Sequence, residues 1–317
     1  MDKKNKTIIT VIYLLGFHIP HTATFLVFFV FLLIYCVTIC GNLLIISLVS
    51  YSKSLHSPMY FFLTQLSVSD ILLASAVLPN MLHAILEENA ATISFSNCIT
   101  QLYFFAVSEC SECLLLTVMC YDRYLAICKP LHYTLLMSHR FCWITVITSW
   151  SLSFLMASFY NVVISTIQFC GPNIIDHFFC EFDPILKLSC SDTTIVQLVL
   201  TSTTVVFGFI PVIIIIVSYV YIIVTIFKIP TITGRRKVFS TCSSHLIVVS
   251  MFYGTILFVY LVPRREQSLN ITKFVSLLYT VFTPLMNPII YSLRNKDLKQ
   301  VVGRIGNNFL KLLFHHY

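Results

Sequence analysis

The chain has 317 residues, of which 57% are hydrophobic and only 10% charged, with a mean hydropathy of +0.87. A soluble domain carries roughly 25% charged residues to face water, so this composition excludes an ordinary soluble protein and puts much of the surface against lipid. The formal charge of +7 follows from 20 Lys and Arg against 13 Asp and Glu, and its distribution reads as membrane topology, with no nucleic-acid partner implied.

The N-terminal segment places Lys3, Lys4 and Lys6 ahead of the apolar run Ile8–Phe17. That outline resembles a signal peptide, but no small-x-small cleavage site follows, and His18, Pro20 and His21 interrupt the run. The first span is therefore expected to act as the insertion signal. Asn5-Lys6-Thr7 is an N-glycosylation sequon.

Seven stretches nearly free of charge come next. His21 to Lys53 encloses no charged side chain, His56 to His83 only Asp70, and Glu88 to Asp122 only Glu109 and Glu112. Arg140 to Asp176, Asp192 to Lys228 and Lys273 to Arg294 enclose none, and Lys237 to Arg264 only His245. Each has room for the ~20 apolar residues of a membrane-crossing helix. Unbroken runs such as Val212–Val217 favour helices over the alternating strands of a barrel. The expected fold is an all-α membrane protein, a seven-transmembrane helix bundle forming one domain over residues 1–317. Helices are expected at about 23–50, 57–82, 95–128, 140–163, 194–227, 238–262 and 271–292, with an N-terminal segment of about 1–22 and a tail of about 293–317. In that tail Leu298, Val301, Val302, Ile305, Leu310 and Leu313 alternate with Lys299, Arg304 and Lys311, which suggests a short amphipathic C-terminal helix on the membrane surface. Thirteen of the 20 Lys and Arg fall on the side of the C-terminus and seven on the other. The positive-inside rule then places the N-terminus outside and the C-terminus in the cytoplasm, for a multi-pass protein of the plasma membrane.

The twelve cysteines separate by depth. Cys36, Cys40, Cys110, Cys113, Cys120, Cys128, Cys142 and Cys242 lie in or near spans, as packing residues. Cys98, Cys170, Cys180 and Cys190 fall on the oxidising side, where disulfides persist, and allow three pairings. His177 and Cys180 have the H-x-x-C spacing of a metal pair, with Glu181 adjacent. An oxidised cysteine beside a solvated histidine is the simpler reading.

At the ends of the spans the residues resemble the rhodopsin-like receptor family: Gly41-Asn42, Asp70, Asp122-Arg123-Tyr124, Trp150, Pro211, Tyr219 and Asn287-Pro288-Ile289-Ile290-Tyr291. A narrower set is similar to the odorant receptors. Pro58-Met59-Tyr60-Phe61-Phe62-Leu63 opens the second span, and Met119-Cys120-Tyr121 with Leu125-Ala126-Ile127-Cys128 flanks the Asp-Arg-Tyr motif. Lys237-Val238-Phe239-Ser240-Thr241-Cys242-Ser243-Ser244-His245 opens the sixth span, and Pro284-Leu285-Met286-Asn287-Pro288 runs through the seventh. The resemblance covers about the whole chain.

It implies an odorant receptor that binds a small volatile or hydrophobic ligand in the outer half of the bundle and activates a heterotrimeric G protein of the stimulatory olfactory type, raising cAMP. The implied disulfides are Cys98–Cys180 and Cys170–Cys190. Asp122, Arg123, Tyr124, Tyr219, His245, Asn287, Pro288 and Tyr291 are the implied coupling and switch residues. Arg123 stays protonated and needs an anion at its helix end, which Asp122 supplies. Pro211, Pro284 and Pro288 each remove a backbone donor and weaken the ladder locally.

The resemblance also implies that Asp70 and Glu112 line a buried polar site near Asn287, open to a sodium ion. Hydrogen-bonded, protonated packing residues are the other reading, since buried carboxyls resist ionisation. No other cofactor is expected. The ligand pocket is expected among the third, fifth, sixth and seventh helices. By helical spacing its wall would include Phe105, Ala106 and Glu109; Thr203 and Phe207; Ile256, Leu257 and Tyr260; and Leu277 and Thr280. Plain packing is the bland alternative for each.

Nothing in the chain reads as a phosphate loop, a zinc-protease helix or a nucleophile elbow, so an enzyme is not expected. A transporter would show two related halves, which are not evident. A non-odorant receptor for another small ligand is the nearer alternative. Amine receptors of the family carry an aspartate where this chain has Phe105, although Glu109, one turn deeper, leaves an amine site open.

Overall fold

The computed structural model describes residues 9–87, 90–170, 172–261, 269–294 and 298–303. Seven long helices form the bundle: α1 (His21–Tyr51), α2 (Pro58–Leu86), α3 (Phe95–Cys128), α4 (His139–Ser165), α5 (Thr194–Lys228), α6 (Ile232–Leu261) and α7 (Leu269–Leu277, Leu278–Phe282 and Thr283–Arg294). Six described helices are long and apolar enough to cross a membrane. Phe25, Leu26, Phe29 and Leu33 of α1 and Ile213, Ile216, Val220 and Phe227 of α5 are exposed, as lipid-facing side chains should be.

Local signals set the helix starts. Pro58 occupies the first turn of α2, where its missing donor costs nothing. Ser94 Oγ accepts from Asn97 N and Ser138 Oγ from Phe141 N, capping α3 and α4. The central element is α3, which packs on α2, α4 and α5. Small polar residues let α2 and α3 approach closely: Ser69 Oγ lies 2.6 Å from Ser111 Oγ and donates to Ser108 O at 3.1 Å.

Prolines shape the helices, and their freed carbonyls are satisfied in identifiable ways. The bundle interior offers no water to a carbonyl left without its donor. Pro288 cannot donate to Pro284 O, so Asn42 Nδ2 donates to it from α1 at 3.1 Å. Gly41 permits this approach, since a Cβ there would lie 3.2 Å from the Pro288 ring. Pro211 and Pro284 each follow a π-helical turn, Val205–Phe209 in α5 and Leu278–Phe282 in α7. Thr283 Oγ1 donates to Leu278 O at 3.0 Å within the second of these.

A three-stranded sheet covers one end of the bundle in the order β2-β1-β3: β1 (Val11–Leu14), β2 (Ala91–Ser94) and β3 (Ile174–Ile175). β1 and β2 are antiparallel, with Val11 opposite Ser94 and Leu14 opposite Ala91, whereas β1 and β3 are parallel. No strand is expected in the N-terminal segment of about 1–22 because only helices are read from the sequence, yet Val11–Leu14 alternates as a strand should, with Ile12 and Leu14 buried and Val11 and Tyr13 exposed. Gly16, at φ +60°, then turns the chain in a conformation that side chains disfavour.

The same end carries both disulfides, Cys98–Cys180 and Cys170–Cys190. Residues 298–303 are helical, with Leu298 and Val301 buried; Ile305, Leu310 and Leu313 of the expected amphipathic helix lie outside the described residues, as does Asn5.

Cys98–Cys180 closes a loop of 82 residues, and loop-entropy arguments give such a cross-link about 4 kcal/mol. Cys98→Ser is expected to cut surface expression severely, whereas Cys36→Ser, on the exposed face of α1, should leave it near normal. Flow cytometry of an epitope-tagged chain checks both outcomes.

Candidate ligand pocket and switch

A cavity of about 820 Å³ lies toward the disulfide end, within the 300–1,000 Å³ range typical of small-molecule sites. Phe105, Ala106 and Glu109 line it from α3, joined by Cys110 and Cys113, and Thr203 and Phe207 line it from α5. Tyr160 of α4 and the loop residues Glu181, Phe182 and Asp183 complete much of the wall. Tyr160 and Thr203 share a hydrogen bond that ties α4 to α5, and the rings of Tyr160 and Phe182 lie 4.7 Å apart.

Leu277 and Thr280 do not line the cavity; both are buried in helix packing, and Thr280 Oγ1 bonds back to Ser276 O at 2.7 Å. Tyr279 takes the wall position, its ring 6.2 Å from that of Phe105. Tyr279 and Thr280 lie within the π turn before Pro284, which holds one more residue than an α turn and so departs from simple 3.6-residue spacing. The side chains of Ile256, Leu257 and Tyr260 lie outside the described residues.

Sequence spacing alone did not give Tyr160, Glu181 or Tyr279. The nearest signal for Glu181 is its position beside Cys180, whose disulfide draws the loop over α3. Gln101 fixes the same loop, accepting from Cys180 N at 3.0 Å while donating to Ala76 O of α2 at 2.9 Å.

Above the cavity, Lys273 is buried and binds Asp176 and, at 2.8 Å, Gly16 O. It therefore joins α7, the β3 loop and the N-terminal segment. Glu181 accepts from Tyr279 Oη at 3.1 Å, and His177 Nε2 stands 3.4 Å from Glu181 Oε2. His177 is not solvated: it is 3% exposed and its ring stacks on Phe178 at 4.6 Å. Burial, then the neighbouring Lys273 charge, pushes its pKa down to about 3, so the imidazole is neutral. Cys180 is spent in a disulfide, and no group of three His, Cys, Asp or Glu that could hold a metal occurs among the described residues.

At the opposite end, Asp122 is buried, pairs with Arg123 and accepts from Tyr133 Oη at 2.8 Å. Tyr219 Oη and His245 Nδ1 meet at 2.7 Å, linking α5 to α6. Tyr291 is buried with its hydroxyl unpartnered. Tyr124 stands apart from this set, packing its ring near Tyr121 and Tyr221. Between the two ends, Asn287 Nδ2 donates to both oxygens of Asp70 at 3.0 Å, and Glu112 faces Asp70 across the bundle interior.

A family model described as olfactory receptor matches residues 31–308. The chain belongs to the olfactory receptor family. The receptor is 43% identical to olfactory receptor 1468 of Rattus norvegicus, covering 96% of this chain and 97% of that protein. It is 46% identical to olfactory receptor 10C1 of Homo sapiens, over 95% and 96% of the two chains. Among solved structures, the crystal structure of squid rhodopsin superposes with a TM-score of 0.72 over 93% of the receptor and 88% of the rhodopsin chain, at 17% identity, which shows the shared seven-helix fold. The receptor is thus a multi-pass membrane signalling protein and not an enzyme.

Because the folded state holds His177 neutral, its contribution is fully present above the unfolded value of about 6.5 and is lost as pH falls toward about 3. By pH 5 the loss should reach about 2 kcal/mol. The melting temperature of the detergent-solubilised receptor should fall between pH 7 and pH 5, and His177→Phe should flatten that slope. Equal slopes would place the acid sensitivity elsewhere.

Proposed function

We propose that the receptor binds small, mainly hydrophobic odorants in the cavity between α3, α4, α5 and α7 and passes the signal to a stimulatory olfactory-type G protein, raising cAMP. The observation that carries this reading is a mostly apolar cavity at one end of a bundle whose other end holds a buried Asp122–Arg123 pair. The excess of Lys and Arg at the Arg123 end supports a cytoplasmic placement of that end, with the N-terminus and its Asn5 sequon outside the plasma membrane.

Ligand contact changes the packing of α5 and α7 at the π turns, where the helical ladder is already interrupted. The change reaches Tyr219–His245 along α5 and Asn287–Tyr291 along α7. Release of Arg123 from Asp122 then exposes a guanidinium to the G protein. The carboxylate oxygens of Asp70 and Glu112, facing each other in the bundle interior, are of the kind hard cations prefer, and they would hold a sodium ion there. A bound sodium would stabilise the resting packing by offsetting one carboxylate charge of the pair.

Arg123→Ala is expected to abolish odorant-driven cAMP at matched surface expression; normal signalling would remove Arg123 from the coupling role. Tyr279→Phe deletes one hydroxyl, so it should shift potency selectively among odorants, by about tenfold where that group binds ligand. Unchanged potency for every active odorant would take Tyr279 out of the binding wall.

A further inference from the structure

We propose that the cavity is built for a basic ligand: a small primary or secondary amine, protonated at neutral pH, whose ammonium is held by Glu109. This rests on the reading of the cavity as the odorant site and narrows it to a ligand class.

Glu109 lies one turn along α3 from Phe105, lines the cavity, and has a buried Oε1 with no hydrogen-bond partner. The ion pairs formed among the described residues leave it without a Lys, Arg or His counter-charge. A carboxylate at that depth is costly unless a positive group meets it. The wall adds two further acids, Glu181 and Asp183, against one cation, Lys187, whose side chain is exposed. Glu181 is engaged by Tyr279 and Asp183 also has a partner, so Glu109, with its unpartnered Oε1, is the acid left to receive a ligand.

The remaining surface suits the same chemistry. Aromatic rings of Phe105, Tyr160, Phe182, Phe207 and Tyr279 line the cavity, and such rings attract a cation by about 0.5–2 kcal/mol each when suitably placed. A carboxylic acid would meet net negative charge here. A neutral alcohol could share a hydrogen bond with Glu109 but would bring no charge for an ionised carboxylate to pair with. An ammonium on an apolar body satisfies the carboxylate, the rings and the apolar wall together.

The test uses the full-length receptor in cells with a cAMP reporter and matched probes: 2-phenylethylamine, cyclohexylmethylamine, their alcohol counterparts and their N-acetyl derivatives. At least one amine is expected to act at tenfold or more lower concentration than its alcohol and its N-acetyl form. Glu109→Gln should weaken that amine by at least thirtyfold while moving any active neutral odorant less than threefold. If Glu109→Gln does not reach the surface, the loss of potency on N-acetylation of the probe and the response of Glu109→Asp carry the test. Potency that N-acetylation leaves unchanged would overturn the proposal. So would an amine response unaltered by Glu109→Gln, or a receptor that answers neutral odorants and no amine. That last result would leave the cavity as an odorant site, whereas neutral odorants insensitive to Tyr279→Phe and to Phe105→Leu would count against the cavity itself.

Discussion

A membrane interior offers no water to an unpaired backbone group, and most of this receptor's architecture answers that constraint. Helices satisfy it along their length, but proline inside a span breaks the ladder and frees a carbonyl. Pro79, Pro211, Pro284 and Pro288 all lie within the long helices. The responses differ, and the differences build the site. Asn42 answers Pro288 by donating across the α1–α7 interface. Apart from the prolines, Gln101 donates to the α2 backbone at Ala76 O and with its amide oxygen holds the loop at Cys180. Ahead of Pro211 and Pro284, the helices widen into π turns instead.

Those π turns connect backbone chemistry to the shape of the cavity. In α5 the turn contributes Val205, Phe207, Gly208 and Phe209 to the cavity wall, and in α7 the turn presents Tyr279. A helix so interrupted has fewer ladder bonds to lose when its two halves repack. The elements that line the cavity are therefore also the ones best able to change shape. Below them, Asp70, Asn287 and Glu112 place polar groups in the middle of the bundle, where each change of partner is costly enough to favour discrete arrangements over gradual ones.

Much of this was legible in the sequence. The intervals between charges gave seven spans, and the helix bounds moved by only a few residues except for α6, which begins at Ile232, several residues before the expected start. The contacts of Asp122 with Arg123, of Tyr219 with His245 and of Asn287 with Asp70 join residues singled out from motifs. What spacing could not give is whatever depends on a broken period or a distant partner. Leu277 and Thr280 follow the 3.6-residue rule, but the turn before Pro284 does not, so Tyr279 faces the cavity. The strand at Val11–Leu14 alternates correctly, yet four residues of period two carry little weight until Ala91–Ser94 supplies the partner. His177 looked solvated because sequence alone does not show that the loop folds inward, where Phe178 and Phe179 pack on its ring and Phe17 from the N-terminal segment stacks on Phe178.

The α7 π turn can be read most directly by cysteine accessibility, in a background lacking Cys110 and Cys113, with single cysteines at Leu277, Tyr279 and Thr280. A small water-soluble thiol reagent applied to intact cells should label Tyr279→Cys, and an active odorant should slow that labelling. Leu277→Cys and Thr280→Cys should stay unreactive, since neither position lines the cavity. Labelling and odorant protection at Leu277→Cys and Thr280→Cys, with none at Tyr279→Cys, would mean that α7 keeps ordinary α-helical spacing and that the proline-driven turn does not shape the pocket.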